Sequence, residues 1–303
     1  MKLPYYPGCT LKTSARNFED SALAAAKALG IELVELPRWN CCGTVFSLTS
    51  DDLIHHVAPI RNLIRVQEMN KNGLVEDERR LVVLCSMCYN TLKRANLRVK
   101  ETKGDLEKLN NLMDREDDYT GGVEVVNFLN VFKDVGIENV RQRVKKPLNG
   151  LKVAPYYGCM VLRPREIAID DPEDPVIQEA LLSALGAEPI ENPYRKVCCG
   201  SYQTVRDKYA VSELVYDILT HAQREGAEAI TTSCPLCVFN LDDRQKEVRE
   251  RHPDFKEIPV FYFTQLMAMA FGLGDKCCGH DFNYVDPRPL LVKKGLLQGS
   301  ADD

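Results

Sequence analysis

No stretch of this sequence approaches the roughly 18 to 20 consecutive apolar residues of a membrane-spanning helix, and its opening, MKLPYYPGCTLK, lacks the apolar core of a secretory signal. The expectation is therefore a cytoplasmic chain with no transmembrane segment. Excess positive charge is also missing: 39 Lys and Arg stand against 44 Asp and Glu, for a net charge of −5. Without a basic field, nucleic acid is not an expected partner. No G-x-G-x-x-G run follows a predicted strand, so neither NAD nor flavin is expected to be bound by this chain.

With 45% hydrophobic and 27% charged residues, the composition is that of a soluble globular protein. Its 303 residues suit two compact units or one pseudo-symmetric pair. The unusual feature is twelve cysteines. In a reducing compartment they are not expected to pair as disulfides, and disulfide-stapled scaffolds are far shorter than this. Metal or redox chemistry is the leading use.

The cysteines reveal a duplication. Cys9 answers to Cys159, Cys41 and Cys42 to Cys198 and Cys199, and Cys85 and Cys88 to Cys234 and Cys237, at offsets of 150, 157 and 149 residues. The flanks agree: PYYPGC with PYYGC, ALGIELVELP with ALGAEPIENP, and VVLCSMCYN with ITTSCPLCVFN. Each half reads as alternating strands and helices. KLPYYPG, IELVEL and RLVVLC are predicted strands; Ala15 to Leu29, about Asp52 to Met69 and the stretch after Cys88 are predicted helices. VEVVNFLNVF and IPVFYFTQLM add a further strand and helix to each half. The fold class expected is α/β, two pseudo-symmetric tandem repeats, each a mostly parallel sheet flanked by helices, with the cysteines on loops at strand ends. Residues 93 to 120 are dominated by charge and read as a solvated helical excursion. The repeats are expected to divide near KKPLNG, giving units 1–148 and 149–285 and a loosely held tail, 286–303.

Five sulfurs in equivalent positions of each half exceed the four that tetrahedral zinc requires, leaving one idle twice over. Adjacent cysteines diverge along an extended segment, so they chelate one ion poorly but reach two neighbouring metal centres. Gly43 and Gly200, just after the pairs, would permit a tight turn. An iron-sulfur cluster with more than four protein ligands accounts for all ten; structural zinc or inert thiols are the alternatives.

The pattern C…CCG…C-x-x-C, present twice, resembles the cysteine-rich CCG domain of the heterodisulfide reductase B-subunit family, across most of residues 1 to 270. The resemblance implies two noncubane four-iron four-sulfur (4Fe-4S) clusters. Cys9, Cys41, Cys42, Cys85 and Cys88 would hold the first, and Cys159, Cys198, Cys199, Cys234 and Cys237 the second. It further implies an oxidoreductase acting on sulfur, the catalytic subunit of a complex that cleaves a small-molecule disulfide to two thiols. Two one-electron clusters match that two-electron reaction. The partners implied are a ferredoxin-like iron-sulfur subunit and a large flavin-containing, electron-bifurcating subunit. The alternative is an electron-transfer subunit that relays electrons to a partner oxidoreductase.

Other candidates have a plainer reading. KCCGHDF at 276–282 is a third CCG without an upstream cysteine or a following C-x-x-C, so Cys277 and Cys278 are expected to be packed thiols or thiols at a subunit contact. With His280 they offer three donors, too few to favour a metal site. His55 or His56 could donate a proton to a product thiolate, and Arg38, Arg163 and Arg165 could hold an anionic substrate. Partly exposed, solvated or structural roles are the commoner case for all five.

Overall fold

The computed structural model describes residues 1–44, 52–75 and 79–298. Among the described residues, eight short strands form two separate four-stranded sheets. The first contains β1 (Lys2–Tyr6), β2 (Glu32–Glu35), β3 (Arg80–Val83) and β4 (Glu124–Asn127) in the order β2-β1-β3-β4. The second contains β5 (Lys152–Pro155), β6 (Glu188–Pro189), β7 (Ala229–Thr232) and β8 (Val260–Tyr262) in the equivalent order β6-β5-β7-β8. Every pairing among these strands is parallel. Parallel strands need crossovers, and helices supply them, so β3 and β7 are buried on both faces apart from the partly exposed Arg80 at the start of β3.

The local chemistry explains the first crossover. In Arg16–Ala28, Phe18, Ala22, Ala25 and Ala26 fall on one buried face, and the helix gives way to Gly30 at φ +76°. That conformation, in the left-handed region, favours glycine and reverses the chain into β2.

The halves are joined through their helices. The Arg16–Ala28 helix of the first half packs on Phe263–Ala270 of the second. There Phe18 stacks on Tyr262 at 4.2 Å between ring centroids, and the hydroxyls of Ser21 and Thr264 lie 2.7 Å apart. Phe263 also meets Phe128 and Phe132, which belong to its counterpart helix Phe128–Val135. On the other side Tyr89 donates its hydroxyl to the Ile167 carbonyl at 2.6 Å, and Lys133 donates to Ile169. The carboxyl ends of β3 and β7 therefore face one another. Ser86, just past β3, donates its backbone N–H and its hydroxyl to the Ser233 carbonyl at 3.1 and 2.9 Å.

Two expectations need correction. Residues 93 to 120 are helical over Ser86–Glu101 and Lys103–Leu112, but the segment is not merely solvated: Leu109, Met113 and Tyr119 are buried. Tyr119 donates to Asn96 Oδ1, and Glu116 accepts from the buried Arg65. Charge on its outer face hid an apolar inner one. The chain past Pro287 is also held, because Arg288–Lys293 is a helix whose Leu291 is fully buried. Asn149 donates to the Lys294 carbonyl, and Lys294 pairs with Glu228 at 2.5 Å. Residues 299–303 lie outside the described residues.

The lead-in to the C-terminal segment is tethered by Asp242, whose carboxylate accepts the backbone N–H groups of Tyr284 and Val285. Burial pushes its pKa up to about 7 from 3.8. A carboxyl group whose pKa is raised in the folded state binds more protons folded than unfolded between those values, so its contribution to stability falls as pH rises through that window. Denaturant titrations between pH 4 and 7 should show this decline, and D242N should lack it. Separately, F263A should lose about 3–5 kcal/mol in the same measurement, because it empties the aromatic junction between the halves.

Candidate metal centre

All ten predicted cysteines converge at the facing carboxyl edges of the two sheets, and they do so as one continuous run. Cys9 and Cys41 lie 4.0 Å apart, sulfur to sulfur. Cys41 adjoins Cys42, and Cys42 lies 3.5 Å from Cys88. Cys88 neighbours Cys85, and Cys85 neighbours Cys234 of the other half. From there the order is mirrored: Cys234, Cys237, then Cys199 at 3.5 Å, Cys198 and Cys159. The pseudo-two-fold axis thus passes between Cys85 and Cys234, beside the Ser86–Ser233 hydrogen bonds.

Local structure places each sulfur. Cys9 sits in the single helical turn Gly8–Leu11 after β1, and the CCG pair follows β2. Cys85 caps the N-terminus of Ser86–Glu101, and Cys88 lies in the first turn of that helix. Cys234 and Cys237 repeat this arrangement on Pro235–Val238. The second cysteine of each C-x-x-C is therefore on a helix and not on a loop. The outer sulfurs, Cys9 and Cys41, are exposed and Cys159 and Cys198 half-buried; the other six are buried.

Hydrogen bonding among the thiols splits their proton affinities. Cys42 is held well below the usual thiol range by its interactions with Cys41 and Cys88, and Cys198 is lowered chiefly by Cys159 and Cys199. Cys234 is lowered by Cys237 and Cys85. Their neighbours move the other way: Cys41, Cys85, Cys88, Cys159 and Cys237 are raised, and Cys199 is pushed up to about 12. Ten buried or crowded sulfurs cannot all ionise beside one another unless positive charge enters among them.

Several supporting residues were not singled out in the sequence. Gly8 and Gly158, at φ +71° and +64°, let the backbone pass so close that a Cβ would stand 3.2 Å from Cys88 Sγ and 3.4 Å from Cys237 Sγ. By contrast a Cβ on Gly43 would meet nothing within 4 Å, so its φ of +87° is what the turn uses. Tyr6 and Tyr156 donate their hydroxyls to the Asn40 and Val197 carbonyls, fixing each CCG loop, while burial and the adjacent sulfurs raise both phenols. Asn62 clasps Asn40 through its backbone N–H and carbonyl, both at 3.0 Å. The repeated PYY and G of the flanks carried this signal; Asn62 left none.

The remaining candidates stand apart from the sulfur run. His56 is buried against Arg98 and Arg94, and burial lowers its pKa; no cysteine is among its charged neighbours. His55 is half-buried on the same turn. Arg38 pairs with Glu68 at 2.8 Å, Arg163 pairs with Glu173 at 3.6 Å, and Arg165 is exposed on a short turn. Cys277 and Cys278 end a four-residue helix, with Cys278 buried and Cys277 donating to the Gly274 carbonyl. They lie off both sets, as packed thiols. Among the described residues no three or more His, Cys, Asp or Glu side chains gather about a single point as one ion would require.

Fold and site together define a protein built from two cysteine-rich domains. The family model described as a cysteine-rich domain, CCG, matches residues 3–93 and 153–242, more than half of the chain. The chain is 31% identical over 288 residues to the 8-methylmenaquinol:fumarate reductase membrane anchor subunit of Wolinella succinogenes, covering 94% of this chain and 98% of that one. It is 27% identical over 301 residues to the B subunit of the ferredoxin/F(420)H(2)-dependent CoB-CoM heterodisulfide reductase of Methanosarcina acetivorans, covering 96% of each. An Archaeoglobus profundus protein, described as like the B subunit of heterodisulfide reductase, is 29% identical, covering 98% of each chain. The chain belongs to the heterodisulfide reductase B-subunit family of tandem CCG proteins. The fold recurs in a solved hypothetical protein from Helicobacter pylori, with a TM-score of 0.69 at 11% identity, covering 93% of this chain and 51% of that one. Among the described residues no helix is long and apolar enough to cross a membrane.

The geometry predicts the order of thiol reactivity in protein stripped of metal. A small thiol reagent added without denaturant should modify Cys9 and Cys41 first. C9S and C41S should each remove one equivalent of that fast phase, followed by mass spectrometry.

Proposed function

We propose that this chain is the iron-sulfur catalytic subunit of a heterodisulfide reductase-like complex. The carrying observation is the continuous run of ten sulfurs meeting at Cys85 and Cys234. The donors are strung out and not gathered about one point, which suits groups with several metal centres better than zinc. In this reading Cys9, Cys41, Cys42, Cys85 and Cys88 hold one noncubane four-iron four-sulfur cluster. Cys159, Cys198, Cys199, Cys234 and Cys237 hold a second, and the repeats divide at 148/149.

The chemistry such clusters supply is one-electron transfer. A small-molecule disulfide takes up two electrons and two protons, its sulfur-sulfur bond breaks, and two thiols leave. Two equivalent sites on facing edges match that count. The protein's own part is to hold the sulfurs, to keep the inner six out of water and to leave the outer pairs open to a substrate. Electrons come from a ferredoxin-like iron-sulfur subunit fed by a large flavin-containing, electron-bifurcating subunit, in the cytoplasm.

A second reading has one observation in its favour. The relative at 31% identity is named as a membrane anchor subunit of a fumarate reductase, a complex named for a different substrate. On that reading the chain relays electrons to a partner oxidoreductase without touching a disulfide.

Metal content decides first. Protein purified without oxygen should contain about eight irons per chain and negligible zinc, as two four-iron clusters require; about two zinc ions with little iron would overturn the reading. Addition of a substrate-like thiol to the oxidised protein should then change its paramagnetic resonance spectrum. An unchanged spectrum at millimolar thiol would favour the relay.

A further inference from the structure

The two cysteine sets are repeated in sequence but not in the groups that support them. The third residue after each C-x-x-C is Thr91 in the first half and Asn240 in the second. Both are buried, and both reach the second cysteine of the CCG pair in their own half. They differ in the number of protons they have to give. Thr91 has a single hydroxyl proton, and it faces the Thr44 carbonyl at 3.0 Å and the Met87 carbonyl at 3.0 Å as well as Cys42. Asn240 has two amide protons. One is taken by the Cys199 carbonyl at 2.9 Å, which leaves the other for Cys199 Sγ at 3.6 Å. Asn240 Oδ1 is buried without a hydrogen-bond partner among the described residues. The backbone in this region, Phe239–Asp243, is widened into a π-helical turn, a feature often found at functional sites.

The neighbouring amide of the first half does not restore the balance. Asn90, two residues after Cys88, donates to the Met160 and Arg163 carbonyls of the other half at 2.7 Å each. Each set also receives a backbone N–H, though on different sulfurs: Thr44 N–H points at Cys42 Sγ and Gly200 N–H at Cys198 Sγ, both at 3.4 Å.

We propose that Asn240 is a positioning residue for the second cysteine set, and that its amide makes the second site the stronger electron acceptor of the two. The inference rests on the iron-sulfur reading above. Hydrogen bonds to ligand sulfur are among the factors that set a cluster's potential. Reduction adds negative charge to the cluster and its thiolates, so a donor fixed on that sulfur stabilises the reduced form more than the oxidised one. The first electron arriving from an external donor settles beside Cys199 and the second on the set containing Cys42. Sites alike in ligand count are thus filled in a fixed order.

The test is a dithionite titration of the full chain loaded with iron, followed by paramagnetic resonance, with iron counted in every sample. The unaltered protein should show two one-electron steps. N240L should move the higher step down by about tenfold in electron occupancy, or about 59 mV, and leave the lower step in place. N90L removes an equally buried amide that touches no sulfur, and it should move neither step even if it weakens the join between the halves. Should N240L fail to take up iron, N240S removes the amide with less disturbance and carries the same expectation. A single unsplit step in the unaltered protein, unmoved steps in a fully loaded N240L, or an equal shift in N90L would overturn the proposal. Absence of iron from the unaltered protein would instead overturn the cluster reading itself.

Discussion

Crowding of thiols is the constraint on which the rest of this structure depends. Ten sulfurs lie in one run across the junction of two sheets, six of them buried. Each thiol that gives up its proton raises the cost for its neighbour, so that some thiols along the run are raised while Cys42, Cys198 and Cys234 are lowered. A fold that conceals such a row either keeps it protonated or admits positive charge among the sulfurs. The surrounding features are arranged for the second case. Backbone N–H groups at the helix N-termini act on Cys85 and Cys234, others point at Cys42 and Cys198, and glycines remove the Cβ atoms that would press on the inner sulfurs.

Parallel topology is what makes this possible. In each half β1, β2 and β3, or β5, β6 and β7, deliver their cysteines to the same edge because parallel strands share a direction. Duplication then lets two such edges meet. The exchange of helices between halves, with Phe18 against Tyr262 and Phe263 against Phe128, fixes the angle at which they do so. The aromatic junction and the Ser86–Ser233 contact therefore set the separation of the two sets.

Much of this was legible in the sequence. The cysteine offsets and their flanks gave both repeats and the ten cysteines that the fold brings together, because the order of those residues, the adjacent pair and the C-x-x-C spacing are the same in both halves. The four strands of the first half followed from short apolar runs bounded by turn residues, and those of the second half chiefly from the repeat. Charge misled at residues 93 to 120, where Leu109, Met113 and Tyr119 sit on the inner face of otherwise polar helices. The third CCG was easier to place: Cys277 and Cys278 lacked the context of the others, and they pack away from the run. Gly8 and Gly158 were inside the quoted motifs, yet their closeness to sulfur depends on where the C-x-x-C helix lies, far along the chain.

Sequence alone determined the composition of each cysteine set and its repetition, since both are covalent facts of order and spacing. Only the tertiary structure decided that Cys85 touches Cys234, that the sets form one run and not two, and that Asn240 lends a proton to sulfur where Thr91 must share one. The reason is physical. Those relations arise from packing between elements separated by more than a hundred residues in one case and by a widened helical turn in the other, and neither is written in the spacing of the residues themselves.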